Sequence, residues 1–474
     1  MSIGRTSLAL ALAGTLVACG GGGGNSSPST GGTPTPSPAT SACSLENRKA
    51  WVLDQLRTYY LFPDLLDTGA DPAAYPTVQS YIDALVAPAR ALGRDRNFTY
   101  ITSIQEENQL INSGASAGFG IRLAYDTSAG RVFVLEAFEN APAFAQGFDR
   151  GTEILSVNGT STASLLASGG PQAFSDALGF SNPGVTRTFT IRQPDQTEAT
   201  VSVIKSEYEL DPISDRYGVR VIDNGGTPVG YINLRTFIVE DAGTQLRAAI
   251  EGFRQQGISE VILDFRYNGG GLVSVAETLG DLLGADKVGQ QFSRTIFRDS
   301  LSSNNVTRLF ETRPQAIAAT KIALIGTGST ASASELVGNA FIPYLGNNTA
   351  LVGSNTYGKP VGQIARDKAE CDDRLRVVAF RTVNAAGGGD YYNGLASVYP
   401  QTCAATDDIF DPLGSVDEAS TGAALGFLRG AACSAIGQAG AAGQSQRGQI
   451  KQVEYQAIRP TEPSAAQYRI PGLF

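Results

Sequence analysis

The sequence predicts an α/β fold preceded by two smaller units. Its second half alternates short buried strands with amphipathic helices, the pattern of a layered sheet flanked by helices. Ahead of it, residues 118–210 carry short strand-like runs, and residues 45–111 carry apolar residues near helical spacing. With 474 residues, 42% of them hydrophobic, the chain has room for roughly three domain-sized units with substantial cores.

Each element follows from local signals. Arg5, the apolar run Leu8 to Val17 and the small residues before Cys19 read as an export signal over residues 1–18, too short to span a bilayer. Leu16-Val17-Ala18-Cys19 resembles the lipobox of bacterial lipoproteins, which implies that Cys19 is diacylated and becomes the mature N-terminus. Residues 19–42 are dominated by Gly, Ser, Thr, Pro, Asn and Ala, the composition of a flexible tether. Over 43–112, Trp51, Leu53, Leu56, Tyr59 and Tyr60, then Tyr81, Ile82 and Leu85, mark a small helical domain. Over 113–210 the expected strands are Ile121 to Tyr125, Arg131 to Phe138 and Glu153 to Val157, with a hairpin through Phe189 to Ile191 and Val201 to Val203.

Over 211–430 the strands Val229 to Leu234, Val261 to Phe265, Ile322 to Ile325 and Ala350 to Gly353 alternate with helices. One helix is opened by Asp241 as N-cap, one runs from Val273 to Leu283, and one from Ala333 to Tyr344. Residues 431–474, rich in Ala, Gly and Gln and without a clear period, read as a loosely packed tail.

Composition removes several functions. The net charge is −9 and no dense Lys/Arg cluster appears, so the surface that nucleic acid requires is missing. The chain contains no histidine, which rules out a Ser-His-Asp triad and imidazole metal ligands. After Cys19, the even set Cys43, Cys371, Cys403 and Cys433 is widely spaced, favouring two disulfides over a metal site. Three connectivities are open; Cys371 with Cys403, bracketing a local excursion, is preferred. No cofactor motif or metal-ligand cluster is present.

Three stretches carry chemistry. Gly326 to Leu336 follows a buried strand and opens an apolar helix, placing Ser332 where free N–H groups and the helix dipole favour an oxyanion. A serine hydroxyl needs a base, and in a chain without histidine a desolvated lysine is the substitute; Lys359 lies 27 residues on, after a helix, a strand and a loop. Leu263 to Leu272 ends a strand in Gly269-Gly270-Gly271, where a backbone can approach a substrate closely.

Arg266-Tyr267-Asn268-Gly269-Gly270-Gly271, Ser332-Ala333-Ser334-Glu335, and Gly358-Lys359 with Gln363 resemble, in this order along the chain, the motifs of the carboxyl-terminal processing proteases of peptidase family S41. The resemblance implies a crotonase-like (ClpP/crotonase) catalytic domain with Ser332 as nucleophile, Lys359 as general base and Gln363 orienting the lysine. The oxyanion donors would be the N–H groups of Gly270 and Ala333. Gly118-Phe119-Gly120-Ile121, Asn140 to Ala143 and Gly151 to Gly159 resemble a PDZ domain, implying capture of a peptide C-terminus by Gly118, Phe119, Gly120 and Ile121.

The resemblance covers roughly residues 45–430 and departs at Gly269, Pro360 and Cys371. The implied partners are protein or peptide substrates and, through the lipid anchor, a membrane; Gly20 after Cys19 points to the outer membrane, facing the periplasm. The alternative is an idle lipoprotein whose PDZ-like unit recruits protein tails. Acyl-CoA chemistry on the same fold is disfavoured, because that cofactor is cytoplasmic and this chain carries an export signal.

Overall fold

The computed structural model describes residues 42–126, 129–437 and 455–474. Cys19, the export signal and nearly all of the tether lie outside the described residues.

Ser44 caps the first helix, Leu45–Tyr59, by accepting from the Asn47 N–H. This helix and Val78–Leu85 bury Val52, Leu56, Tyr60, Ile82 and Leu85 in one apolar cluster with Val361, Leu375, Val377 and Val378. The helical domain expected over 43–112 therefore shares its core with the later part of the chain. Its strand Tyr100–Ser103 also pairs antiparallel with Asp373–Val383, an extension of the hairpin formed with Val361–Lys368. A disulfide between Cys43 and Cys371, with Cα atoms 5.4 Å apart, closes the same contact.

The β-rich unit follows the expected strands closely. Ile121–Asp126, Arg131–Ala137, Glu153–Val157, Thr186–Arg192 and Glu198–Ile204 form an antiparallel sheet, with Phe189 opposite Val201 in the anticipated hairpin. Their inward residues, among them Ile121, Leu123, Val132, Val134, Phe189 and Ile191, pack with Phe174 and Leu178 of the covering helix Thr162–Leu178. The outer edge of this sheet is covered by Tyr455–Ala457.

A six-stranded sheet forms the second half. Pro228–Asn233, Glu260–Asp264, Lys321–Gly326, Thr349–Gly353 and Gln401–Ala404 run parallel, and Val219–Asp223 adds antiparallel at one edge. Ala242–Gln255, Val273–Leu283 and Ala333–Leu345 pack their apolar residues on one face; Ala419–Leu428 covers the other. The central strands are buried throughout, as a sheet covered on both faces requires.

Asp241 stands at the N-cap of Ala242–Gln255 as expected, though its carboxylate accepts from Gln245 Nε2 rather than capping the backbone. Two expectations need correction. The cysteines pair as Cys43–Cys371 and Cys403–Cys433, because the Cys403 strand lies beside the Ala404–Ser434 backbone contact while Cys371 sits on the distant hairpin. Residues 455–474 are also packed: Ala466, Ile470 and Leu473 join a buried cluster with Leu110, Phe138 and Ile238, and Phe474 joins the core of the β-rich unit.

Candidate active site

Three loops meet at the carboxyl ends of the neighbouring parallel strands Glu260–Asp264, Lys321–Gly326 and Thr349–Gly353. They carry the glycine run, Ser332 and Lys359 respectively. The sheet sets their spacing, since adjacent strands lie about 4.8 Å apart.

Ser332 stands immediately before the helix Ala333–Leu345, with φ 58° and ψ −113°. A non-glycine residue in this region is strained by on the order of 1–3 kcal/mol and persists only where its surroundings enforce it. The enforcing group is Glu335. Its buried carboxylate accepts from the Ser332 N–H at 2.9 Å, the Lys359 N–H at 2.8 Å, the Gly358 N–H at 2.7 Å and the Thr356 hydroxyl at 2.6 Å. One side chain thus ties the serine turn to the lysine loop. Burial pushes the Glu335 pKa up, and the four donated hydrogen bonds oppose that shift.

Lys359 is nearly enclosed. Its Nζ donates to Gln363 Oε1 at 2.9 Å and lies 4.7 Å from the centre of the Phe98 ring. Burial, followed by the nearby Arg469 cation, lowers its pKa from 10.5 to about 7. Gln363 is itself fixed, its Nε2 donating to the Phe98 carbonyl and its Oε1 also accepting from Arg469 Nη1 at 3.2 Å. Arg96 Nη2 holds the lysine loop through the carbonyls of Tyr357, Gly358 and Tyr392. No hydrogen bond joins the Ser332 hydroxyl to Lys359 Nζ among the described residues.

The donors expected for an oxyanion divide. Ala333 N–H, at the start of its helix, has no acceptor among the described residues. Gly270 N–H donates to Asn268 Oδ1 at 2.9 Å, so in this state it is not free. The Gly270 backbone nevertheless touches the serine turn: a Cβ on it would lie 2.8 Å from Ser332 Cβ and 2.9 Å from Ala333 N. The same asparagine fixes the neighbouring serine, since Ser334 is fully buried and its hydroxyl donates to the Asn268 carbonyl at 3.0 Å. Arg266 does not face the site; it is buried in an ion network with Asp264, Glu418 and Asp407 that anchors the base of the glycine loop.

Comparison with known proteins gives this arrangement its relatives. The model of peptidase family S41 matches residues 228–393, the stretch that contains all three loops. Residues 228–393 belong to peptidase family S41. A carboxyl-terminal-processing protease of Picosynechococcus is 26% identical over 249 residues, covering 52% of this chain and 55% of that protein. A chloroplastic C-terminal processing peptidase of Tetradesmus obliquus is 27% identical over 274 residues, covering 54% of each. The chain thus spans about half the length of these curated relatives. A crystal structure assigned to the S41 proteases, from Bacteroides fragilis, superposes with a TM-score of 0.62 at 22% identity, covering 80% of this chain and 97% of that one. That likeness establishes a shared mixed α/β fold.

Of the residues singled out from sequence in this S41 unit, Ser332, Lys359, Gln363, Ala333 and Gly270 are brought together. Gly118, Phe119, Gly120 and Ile121 lie in the β-rich unit, at the edge where the last residues of the chain pair. Sequence reasoning missed Arg96 and Phe98, which come from the N-terminal unit, and Arg469, which comes from the supposed tail. Nothing local marks the first two. The apolar ending Ile470-Pro471-Gly472-Leu473-Phe474 was a legible hint that the tail packs.

Proposed function

We propose that the chain is a serine endopeptidase of the cell envelope in which Ser332 is the nucleophile and Lys359 the general base, held in a crotonase-like domain. The observation that carries this is the Glu335 clamp, which binds the N–H groups of both Ser332 and Lys359 in a chain that has no histidine. A neutral Lys359 amine takes the Ser332 proton as the hydroxyl oxygen attacks the peptide carbonyl carbon. The resulting oxyanion is received by the Ala333 N–H and, once Asn268 releases it, by the Gly270 N–H. Collapse expels the amine, which takes the proton from lysine, and water then hydrolyses the acyl-enzyme with the same base. In the resting arrangement the amine donates to Gln363, so turnover requires it to swing toward Ser332; catalytic hydrogen bonds often tighten only in the substrate complex.

The β-rich unit is read as a PDZ-like domain that recruits substrates by their C-termini. Its antiparallel sheet, covering helix and glycine loop at Gly118 to Ile121 support that reading. The export signal and Cys19 support a lipid-anchored protein of the outer membrane facing the periplasm, acting on envelope proteins. Among the described residues no helix is long and apolar enough to cross a membrane.

The deciding experiment measures cleavage of an unfolded protein by purified variants. Ser332→Ala and Lys359→Ala should each reduce turnover by about three orders of magnitude or more with the fold intact. Wild-type cleavage by Lys359→Ala would refute the mechanism, and an active Ser332→Ala beside an inactive Ser334→Ala would move the nucleophile.

A further inference from the structure

The edge of the strand Ile121–Asp126 is fully taken, and by the chain itself. Tyr455–Ala457 pairs antiparallel with Ala124–Asp126. The chain then leaves the edge and returns to it in the same direction: Leu123 N–H donates to Gly472 O at 2.7 Å, Phe474 N–H to Ile121 O at 2.9 Å, and Gly120 and Ile121 N–H groups to Phe474 O at 2.8 and 3.2 Å. These last two are the amides of the glycine loop. Phe474 is buried among Phe119, Ile121 and Leu178, while Leu473 packs in the neighbouring cluster.

The excursion between the two paired segments crosses the Ser332–Lys359 site. Tyr468 stacks on Tyr100 with ring centres 3.9 Å apart, Arg469 donates to Gln363 Oε1 and to Glu107 Oε1, and Pro471 lies against Gly269. A Cβ at position 269 would come within 2.5 Å of the Arg469 carbonyl oxygen, so the excursion rests directly on the glycine loop. The cavity left beside Lys359, lined by Phe98, Ala331, Tyr468 and Arg469, is about 60 Å³. That holds a few water molecules and no peptide.

We propose that residues 455–474 are a built-in ligand: they fill the peptide groove of the β-rich unit, lie over the catalytic site, and mark the groove as one for an extended peptide with large apolar residues beside the Gly120 and Ile121 amides. This rests on the peptidase reading above. An endopeptidase must admit an extended chain to Ser332, and the seated excursion takes up the space over the glycine loop and beside Lys359 that such a chain would need. A substrate tail with matching apolar end residues adds its strand to the same edge, displaces residues 472–474 and releases the cover with them. Because the built-in segment is tethered, it competes at an effective concentration on the order of millimolar, so weak tails do not open the site.

The test uses the full chain carrying Ser332→Ala, with a fluorescent peptide of the sequence Tyr-Arg-Ile-Pro-Gly-Leu-Phe and anisotropy as readout. Gly472 has φ +78° and a Cβ there would lie 2.6 Å from the Leu123 carbonyl oxygen, so Gly472→Ala should unseat the segment. Phe474→Asp, which would bury an unpaired carboxylate, should do the same by a different route. Either variant should bind the peptide about tenfold or more tightly than the parent, as removal of a tethered competitor requires. The same changes on the Ser332 background should speed cleavage of an unfolded protein. Equal peptide affinity in parent and variants overturns self-occupancy while leaving the groove a peptide site; binding to none overturns the groove reading itself. Should both variants misfold, hydrogen exchange on the unaltered chain decides: the Gly120, Ile121 and Leu123 amides should be protected with or without peptide, whereas the Phe474 amide of the chain, which donates to Ile121 O, should be protected alone and lose protection on adding excess peptide. Fast exchange of these amides without peptide, or a Phe474 amide that excess peptide leaves protected, overturns the proposal.

Discussion

Lys359 can serve as a base only if its amine is neutral at the working pH, and its surroundings favour that form. Burial removes the water that would stabilise the ammonium, and Arg469 repels it, bringing the pKa to about 7. Below this value the lysine is protonated and inactive, so kcat/KM, which reports the free enzyme with residues 455–474 seated, should rise about tenfold per pH unit up to pH ~7 and then level off. A lysine of ordinary pKa would keep the rate climbing toward pH 10. Replacing Arg469 by Gln removes a neighbouring cation, which makes the ammonium easier to form; the limb should move to higher pH. A profile that is flat from pH 5 to 9 would rule out Lys359 as the base. Glu335 offers a second test at this scale. Each of its oxygens faces two donors, so whichever oxygen becomes an amide nitrogen in Glu335→Gln confronts two N–H or O–H groups. We expect roughly 2–4 kcal/mol of lost stability and at least a tenfold fall in kcat, because a buried donor left unsatisfied costs about 1–3 kcal/mol. Unchanged melting temperature and kcat would show that the clamp positions nothing.

At the scale of elements, the hairpin Val361–Lys368 with Asp373–Val383 joins the sheet domain to the N-terminal helices. It carries Gln363 on one strand, pairs with Tyr100–Ser103 through the other, and is tied at its tip by Cys43–Cys371. Arg96 and Phe98, which hold Lys359 in place, lie just before the strand that docks on it. The disulfide therefore secures one wall of the site as well as the fold. The paired change Cys43→Ser with Cys371→Ser should lower stability by roughly 2–5 kcal/mol, read by thermal melting. Activity should be lost at a lower temperature than in the parent, since the N-terminal elements carrying Phe98 loosen first. An unchanged melting temperature would mean that the interface of Val52, Leu56, Leu375 and Val377 suffices without the crosslink.

At the scale of the molecule, three units converge on one small site: the six-stranded sheet supplies Ser332 and the glycine loop, the N-terminal unit supplies Phe98, and the end of the chain supplies Arg469. The β-rich unit is connected to the same point through residues 455–474, which pair with its edge and cross the catalytic loops. In the proposed arrangement, occupancy of that edge and access to Ser332 are one structural variable, so a peptide bound at Gly120 and Ile121 would act on the other unit with no need for a longer path of contacts.

The sequence by itself determined what depends on neighbours along the chain. Alternation and helical spacing located the central strands and helices within a few residues, since burial on a sheet or helix face imposes a local period. The absence of histidine, a compositional fact, directed attention to Lys359, and the strand-loop-helix order placed Ser332. Tertiary structure alone decided what depends on distant segments competing for the same groups. Gly270 N–H went to Asn268, a choice of acceptor that geometry makes and spacing cannot reveal. Cys371 found Cys43 across a separation of 328 residues, because hairpin and first helix share a core. Residues 455–474, read as a loose tail for want of a period, are ordered by an open sheet edge and an apolar pocket supplied by residues far earlier in the chain.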